Sequence, residues 1–222
     1  MPLDLRELPA PHSPELLEKL RKVDFPTLGH YLEEGFCEPG LQRVAGTGKL
    51  VGRAVTVRVT ATDSTLLHHA AGIVRPGDVV VVDTGGDRRH APLGEVVANA
   101  LAARGAAGAV VDGLCTDIEA LRAVGLPVYA RGRTALTTKL HGIADGALGA
   151  PVCCGGVPVH AGDIVLGDAN GLIIAPAGRL AAVVDEALAD DAEEPALVAR
   201  LWEGEPLGTL TGATGLLAPS SS

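Results

Sequence analysis

The sequence predicts an α/β fold, and three observations carry that expectation. Residues 79–130 read as strand, helix, strand, helix, strand. The chain turns strand-rich after about residue 150, and both of its ends carry helical patterns. Its 222 residues suit one domain, or a domain with an appendage, and can bury a sizeable core. At 47% hydrophobic and 20% charged, the chain is too apolar for disorder. Aromatics are only 2%, so Ala, Val, Leu and Ile must build that core.

Taken in order, residues 1–45 read as helices punctuated by proline, in SPELLEKLRKV and PTLGHYLEEG, and end in the loop CEPGLQRVAGTG. Residues 49–62 alternate through Val55, Val57 and Val59, the period of a half-buried strand. Residues 63–74 return to helix, and RPGD at 75–78 is a turn. The VVVVD run at 79–83 is continuous apolar sequence, as in a strand covered on both faces. Helix 94–104 follows a Gly-rich loop and is closed by Gly105 in a favoured C-cap position. A strand at 109–112, a helix at 117–123 and a strand at 127–130 complete a unit expected to be parallel. Short antiparallel strands are predicted at 157–159, 164–167 and 171–175, with Asn170-Gly171 in the last turn. Residues 178–203 read as Ala-rich helix interrupted at Pro195. The resulting divisions are an N-terminal helical segment (1–26), a core (27–176), C-terminal helices (177–204) and a tail (205–222). The tail is expected to be mobile or draped on a neighbouring subunit.

Composition excludes several functions. A net charge of −9 removes the usual driving force for binding a phosphate backbone, and few aromatics leave no base-stacking platform. No apolar run approaches the ~18 residues of a membrane span, and the polar N-terminus has no signal-peptide h-region. Cys37, Cys115, Cys153 and Cys154 form no CxxC pair, which suggests a reduced, cytoplasmic protein. Gly46-Thr47-Gly48-Lys49 lacks the first glycine and the final Ser/Thr of a phosphate loop. Residues 83–87 lack GxGxxG spacing, and no GxSxG accompanies a Ser/His/Asp set. His68 and His69 lie about 100° apart on their helix and cannot share a metal, so a structural or surface role is expected for both.

One constellation survives. Strand ends deliver Asp83, Asp112 and, one loop later, Asp117 to the carboxyl edge of the predicted sheet, where ligands gather. The helix opening at Gly94 offers the N–H groups of Glu95, Val96 and Val97 as a carboxylate cradle. Acids beside an anion cradle make electrostatic sense with a divalent cation between them. A plainer reading stands beside this one. Thr116 to Glu119 fits a capping box, and Asp117 and Glu95 both suit first helical turns.

The segments GDVVVVDTGGD, GEVVANALAARGAAGAVVDGLCTD, LRAVGLPVYARG and GGVPVHAGDIVLGDANGLIIAP, taken together and in this order, resemble the RraA and class II 4-hydroxy-4-methyl-2-oxoglutarate aldolase family. Members are also mislabelled dimethylmenaquinone methyltransferases. The likeness runs from about Thr27 to Glu205. It implies a swivelling β/β/α-type sandwich, assembled as trimers or hexamers with active sites between subunits. It also implies Mg²⁺ or Mn²⁺ and a small oxo-acid substrate, cleaved or decarboxylated to pyruvate. The aldolase signature is an acid, twenty residues, then Arg-Asp. Glu95 matches the first acid, which acts as acid/base through a water, and Asp117 matches the metal-binding Asp. Gly94, Glu95, Val96 and Val97 match the amides that hold the pyruvate carboxylate.

This chain departs from the signature at one point, because Thr116 replaces the Arg that would contact the enolate oxygen. Arg88 or Arg89 could fill that vacancy. A further acid is expected from a neighbouring subunit's C-terminal helix, in the region of Glu193 and Glu194. The RraA branch, which binds ribonuclease E, lacks the first acid and keeps Arg-Asp, the reverse of this chain. The resemblance therefore implies a metal-dependent lyase altered from the family's standard reaction. A non-catalytic RraA-like regulator is the alternative.

Overall fold

Uninterrupted valines set the centre of the sheet in the computed structural model, which describes residues 3–60, 62–142 and 145–217. The N-terminal elements are β1 (Asp4–Leu5), α1 (Pro14–Lys22), α2 (Phe25–Leu28) and β2 (Gln42–Ala45). The central run is β3 (Leu50–Arg58), α3 (Thr65–Ile73), β4 (Asp78–Asp83), α4 (Glu95–Ala103), β5 (Gly108–Cys115), α5 (Ile118–Val124) and β6 (Val128–Arg133). Next come β7 (Ala147–Leu148), β8 (Val152–Cys154), β9 (Val157–Val159), β10 (Ile164–Gly167) and β11 (Leu172–Ala175). The chain closes with α6 (Ala177–Ala181), α7 (Val184–Trp202), α8 (Leu207–Leu210) and α9 (Ala213–Leu216).

Strands β3, β4, β5 and β6 pair in parallel, as the strand–helix alternation predicts. Antiparallel β10 and β11 extend from the other edge of β3, beside the short β7. Strands β8 and β9 form a separate antiparallel hairpin.

Side-chain alternation along the strands sorts the core into layers. Val80, Val82, Ala109 and Val111 pack with Leu67, Leu101 and Leu121 of the helices. Val79, Val81 and Val110 face the other way, onto Val152, Cys154, Val157 and Val159 of the hairpin. A third cluster joins β10 and β11 to α1, α2, α6 and the start of α7. The result is a β/β/α sandwich. Val79 to Val82 are fully buried, each worth about 1.5–3 kcal/mol relative to exposure.

Several elements differ from expectation. Strand β3 is buried on both faces along nearly its whole length, although its alternation suggests a half-exposed strand. Its polar residues are matched instead: Arg53 pairs with Asp78, and Thr56 donates to the Ala150 carbonyl at 2.7 Å. Strands β1, β2, β7 and β8, two to four residues each, carry no pattern long enough to read. The helical pattern at 26–35 stops at Leu28. Helix α7 runs through Pro195, and the break falls earlier, between α6 and α7. Pro195 lies on an exposed stretch, where water can satisfy the carbonyl its ring leaves unpaired. In the predicted tail, residues 207–210 and 213–216 form α8 and α9, while 218–222 lie outside the described residues.

Candidate active site

Two junctions at the carboxyl edge of the sheet build one cavity of about 220 Å³. Gly94, Glu95, Val96 and Val97 line it from the first turn of α4, and Thr116 and Asp117 from the turn between β5 and α5. Ser64 and His68 of the α3 region, Ala91 and Pro92 before α4, and residues 137–140 after β6 form the remaining wall. All six residues that the sequence reading places at its centre therefore meet here.

The backbone holds the two junctions together. Thr116 N–H donates to the Leu93 carbonyl at 3.0 Å, and Leu93 bridges in parallel to Cys115. The Glu95 N–H, the first donor of the cradle, gives a 3.0 Å hydrogen bond to Asp117 Oδ2. Thr116 Oγ1 donates to Asp117 Oδ1 at 3.3 Å. Gly94 makes the approach possible: a Cβ built there would lie 2.4 Å from Asp117 Oδ2 and 2.7 Å from Thr116 Cγ2. The cradle thus already engages a carboxylate from its own chain.

Asp117 has φ 55°, the one positive value for a non-glycine among the described residues. Such conformations cost on the order of 1–3 kcal/mol and cluster at functional sites. This geometry overturns the capping box. Asp117, not Thr116, is the N-cap residue of α5, and no side chain caps that helix. Glu119 pairs with Arg122 at 3.1 Å. The Thr116 hydroxyl is spent on Asp117 because the left-handed turn brings that carboxylate back over α4.

Other expected residues lie elsewhere. Arg88 sits 3.5 Å from Asp112, and the Arg89 backbone N–H donates to Asp87; neither side chain lines the cavity. Glu193 and Glu194 are exposed on α7, which packs against α1 and α2. The carboxylate trio separates by strand parity. Asp83 and Asp112 are register partners that share the hairpin-facing side of their strands with Val81 and Val110. Asp83 accepts from Gly85 N–H at 2.7 Å and Cys153 N–H at 3.3 Å.

Asp112 bonds Arg131 and the Gly155 N–H, and Arg131 also pairs with Glu38 at 2.7 Å. Burial alone would raise the Asp112 carboxyl, but the Arg131 guanidinium and the Gly155 N–H hold it below its usual value. A carboxyl lowered on folding stabilises above its unfolded pKa, and that stability is lost as pH falls through the folded value. Urea midpoints of Asp112→Asn should therefore fall below wild type near neutral pH and converge with it below about pH 4. A constant gap between the two across that range would show that Asp112 acts through packing alone.

No cysteine lines this cavity. Burial pushes the Cys37 thiol up to about 12 and the Cys115 thiol up to about 11. His68 lines the cavity and His69 does not, in keeping with their angular separation. Sequence reasoning missed His68, Ser64 and residues 137–140 as site residues. The only available signal was a stretch after β6 with neither strand nor helix period, the kind of loop that carries function.

Fold and site together define a β/β/α sandwich with a carboxylate-engaging helix N-terminus at its sheet edge. The family description "RraA-like: Aldolase/RraA" matches residues 18–174, so the chain belongs to the RraA-like family. A Halalkalibacterium halodurans protein, provisionally named a 4-hydroxy-4-methyl-2-oxoglutarate aldolase, is 38% identical over 148 residues. That match covers 67% of this chain and 70% of the relative. Streptomyces coelicolor RraAS2, described as an unusual member of the RNase ES inhibitor RraA family, superposes with a TM-score of 0.73 at 28% identity. It covers 86% of this chain and 98% of its own. A Geobacillus kaustophilus structure named as an S-adenosylmethionine:2-dimethylmenaquinone methyltransferase gives 0.63 at 31% identity, over 69% and 94% of the two chains. Family membership thus includes proteins named as aldolases and proteins named as RNase inhibitors. No helix among the described residues is long and apolar enough to cross a membrane.

Proposed function

We propose that the cavity is the active site of a divalent-metal-dependent carbon–carbon lyase of the aldolase or decarboxylase type. Its substrate is a small oxo- or hydroxy-acid, and Thr116 alters it from the family's standard reaction. The observation that carries this reading is the convergence of Asp117, Glu95 and the α4 amides on one cavity.

Mg²⁺ or Mn²⁺ fits what is present. Asp117 supplies the oxygen donor that such ions take, and Mg²⁺ is commonly held by one or two carboxylates with several waters retained. Asp117 is exposed at the cavity and would hold it, with Glu193 or Glu194 of a neighbouring copy reaching it through water. When bound, the ion supplies Lewis-acid polarisation of the substrate's oxo group. The chain's own residues do the rest. Val96 and Val97 offer first-turn N–H groups without intrahelical acceptors to the substrate carboxylate. Glu95, exposed beside them, moves a proton to and from the substrate through water.

Exposed Val96 and Leu140 at the cavity, with exposed Trp202, Leu216 and Leu217 towards the C-terminal end, support a homotrimer or hexamer that covers them. The four free thiols support a cytoplasmic location. The likeness to RraAS2 over most of the chain favours a second reading, a protein-binding regulator without catalysis.

A screen for pyruvate release from oxaloacetate and 4-hydroxy-2-oxo acids, with Mn²⁺ supplied, separates the two. We expect turnover by wild type, and calorimetric Mn²⁺ affinity at least tenfold weaker in Asp117→Asn. Equal Mn²⁺ binding by both proteins, or none by either, would remove the metal site. No pyruvate from any substrate would favour the regulator.

A further inference from the structure

An enolate is left whenever a 2-oxo acid loses a group from carbon 3, and a site that makes one needs positive charge near the carbon 2 oxygen. Beyond the ion that Asp117 would hold, the side chains at the centre of the site bring no positive charge: Asp117 and Glu95 are carboxylates and Thr116 brings a neutral hydroxyl. The two arginines expected to compensate are turned away, Arg88 towards Asp112 and Arg89 outside the cavity. Among the described residues that line the cavity, Lys139 is the one lysine or arginine, and it shares that lining with the α4 cradle.

The surroundings of Lys139 position its amine rather than consume it. Its backbone is fixed on both sides: Lys139 N–H donates to the Thr62 carbonyl at 2.9 Å, and its carbonyl accepts from Ser64 N–H at 3.1 Å. Thr138 Oγ1 donates to Ser64 Oγ at 2.8 Å, which ties the same loop to the start of α3. The amine meets Thr137 Oγ1 at 3.3 Å, and no carboxylate of the described residues pairs with it. Most other cations of this acidic chain are spent on carboxylates, whereas the Lys139 side chain meets only a hydroxyl among the described residues.

We infer that Lys139 is the electrophilic residue of this site, its ammonium taking the enolate oxygen in place of the arginine missing at position 116. The inference rests on the lyase reading above and adds a residue to it. In cleavage of a 4-hydroxy-2-oxo acid, the bond between carbons 3 and 4 breaks and the carbon 4 hydroxyl becomes a carbonyl. The hydroxyl proton passes through a water to Glu95, and the electron pair moves into the carbon 2–carbon 3 bond. Negative charge then lies on the carbon 2 oxygen, where the Lys139 ammonium donates a hydrogen bond. Glu95 returns the proton to carbon 3, giving pyruvate. Charge-assisted donors of this kind are roughly twice as strong as neutral ones, so Thr116 cannot substitute.

The test pairs kinetics with binding of oxalate, a stable dianion shaped like the pyruvate enolate. Lys139→Met should lower kcat for pyruvate release at least tenfold with KM nearly unchanged, and Lys139→Arg should restore part of it. Calorimetry with Mn²⁺ and oxalate should show at least tenfold weaker oxalate binding in Lys139→Met, with Mn²⁺ affinity retained. Lys139 is exposed, so its urea midpoint should match wild type. Wild-type kcat and oxalate affinity in Lys139→Met would overturn the inference, and so would a wild type that does not bind oxalate. If wild type binds oxalate through Lys139 but releases no pyruvate, the cation assignment stands and the lyase reading falls.

Discussion

Gly94→Ala is expected to lower pyruvate release about 100-fold while the urea midpoint moves little. The reason is local and steric. Gly94 has φ −143° and ψ −161°, an extended conformation open to any residue, so alanine costs nothing in backbone strain. What it adds is a methyl group 2.4 Å from Asp117 Oδ2 and 2.7 Å from Thr116 Cγ2. Either the carboxylate leaves the Glu95 N–H, or the α4 turn retreats from the β5–α5 junction. Displacing a reacting or binding group by about 1 Å can cost on the order of 10² in rate. Mn²⁺ affinity should fall with it, since Asp117 is the proposed ligand. A variant with wild-type turnover would mean that the contact between Asp117 and the cradle is incidental, and that substrate meets the α4 amides some other way.

That contact also marks the limit of what the sequence conveys. The parallel centre of the fold is legible because the VVVV and AVV runs leave no polar position on either face, so both sides of the sheet must be covered. The meeting of Glu95 and Asp117 follows from topology, since both lie at carboxyl ends of parallel strands. The separation of Asp83 and Asp112 from Asp117 was legible only in part. Period two puts both with Val81 and Val110, while a register shift between Val111 and Leu114 changes the phase before Thr116. That irregularity has no sequence signature, and without it the three acids seem to share an edge. The left-handed turn at Asp117 is hidden for a similar reason: TDIE satisfies a capping box by residue type alone, while in the fold the Asp117 carboxylate accepts from the Glu95 N–H at the start of α4. Lys139 could not be read at all. It reaches the cavity through backbone bonds to Thr62 and Ser64, residues more than seventy positions earlier.

Thr116→Arg should raise pyruvate release from 4-hydroxy-2-oxo acids, and the size of the gain should depend on Lys139. In the wild-type background a second cation joins one already present, so about tenfold is expected. In Lys139→Met the arginine returns a cation to a cavity left without lysine or arginine among its described lining residues, and the gain should approach the ~10² that a single donor aimed at a developing oxyanion is worth. Position 116 is suited to it. Thr116 is half-buried at the cavity, its backbone is pinned to Leu93, and its hydroxyl already points at Asp117. A guanidinium there would sit beside the Asp117 carboxylate with a fixed fork of donors, where the hydroxyl offers one neutral bond. Oxaloacetate decarboxylation should respond less, because carbon dioxide leaves without a hydroxyl proton to remove and Lewis-acid polarisation carries more of the barrier. The double variant therefore separates two accounts of Thr116. Non-additive gains mean that both side chains serve one oxygen. Equal gains in both backgrounds would place Lys139 and position 116 on different atoms of the substrate, and an unchanged or slower Thr116→Arg would show that Thr116 matters through its hold on Asp117 alone.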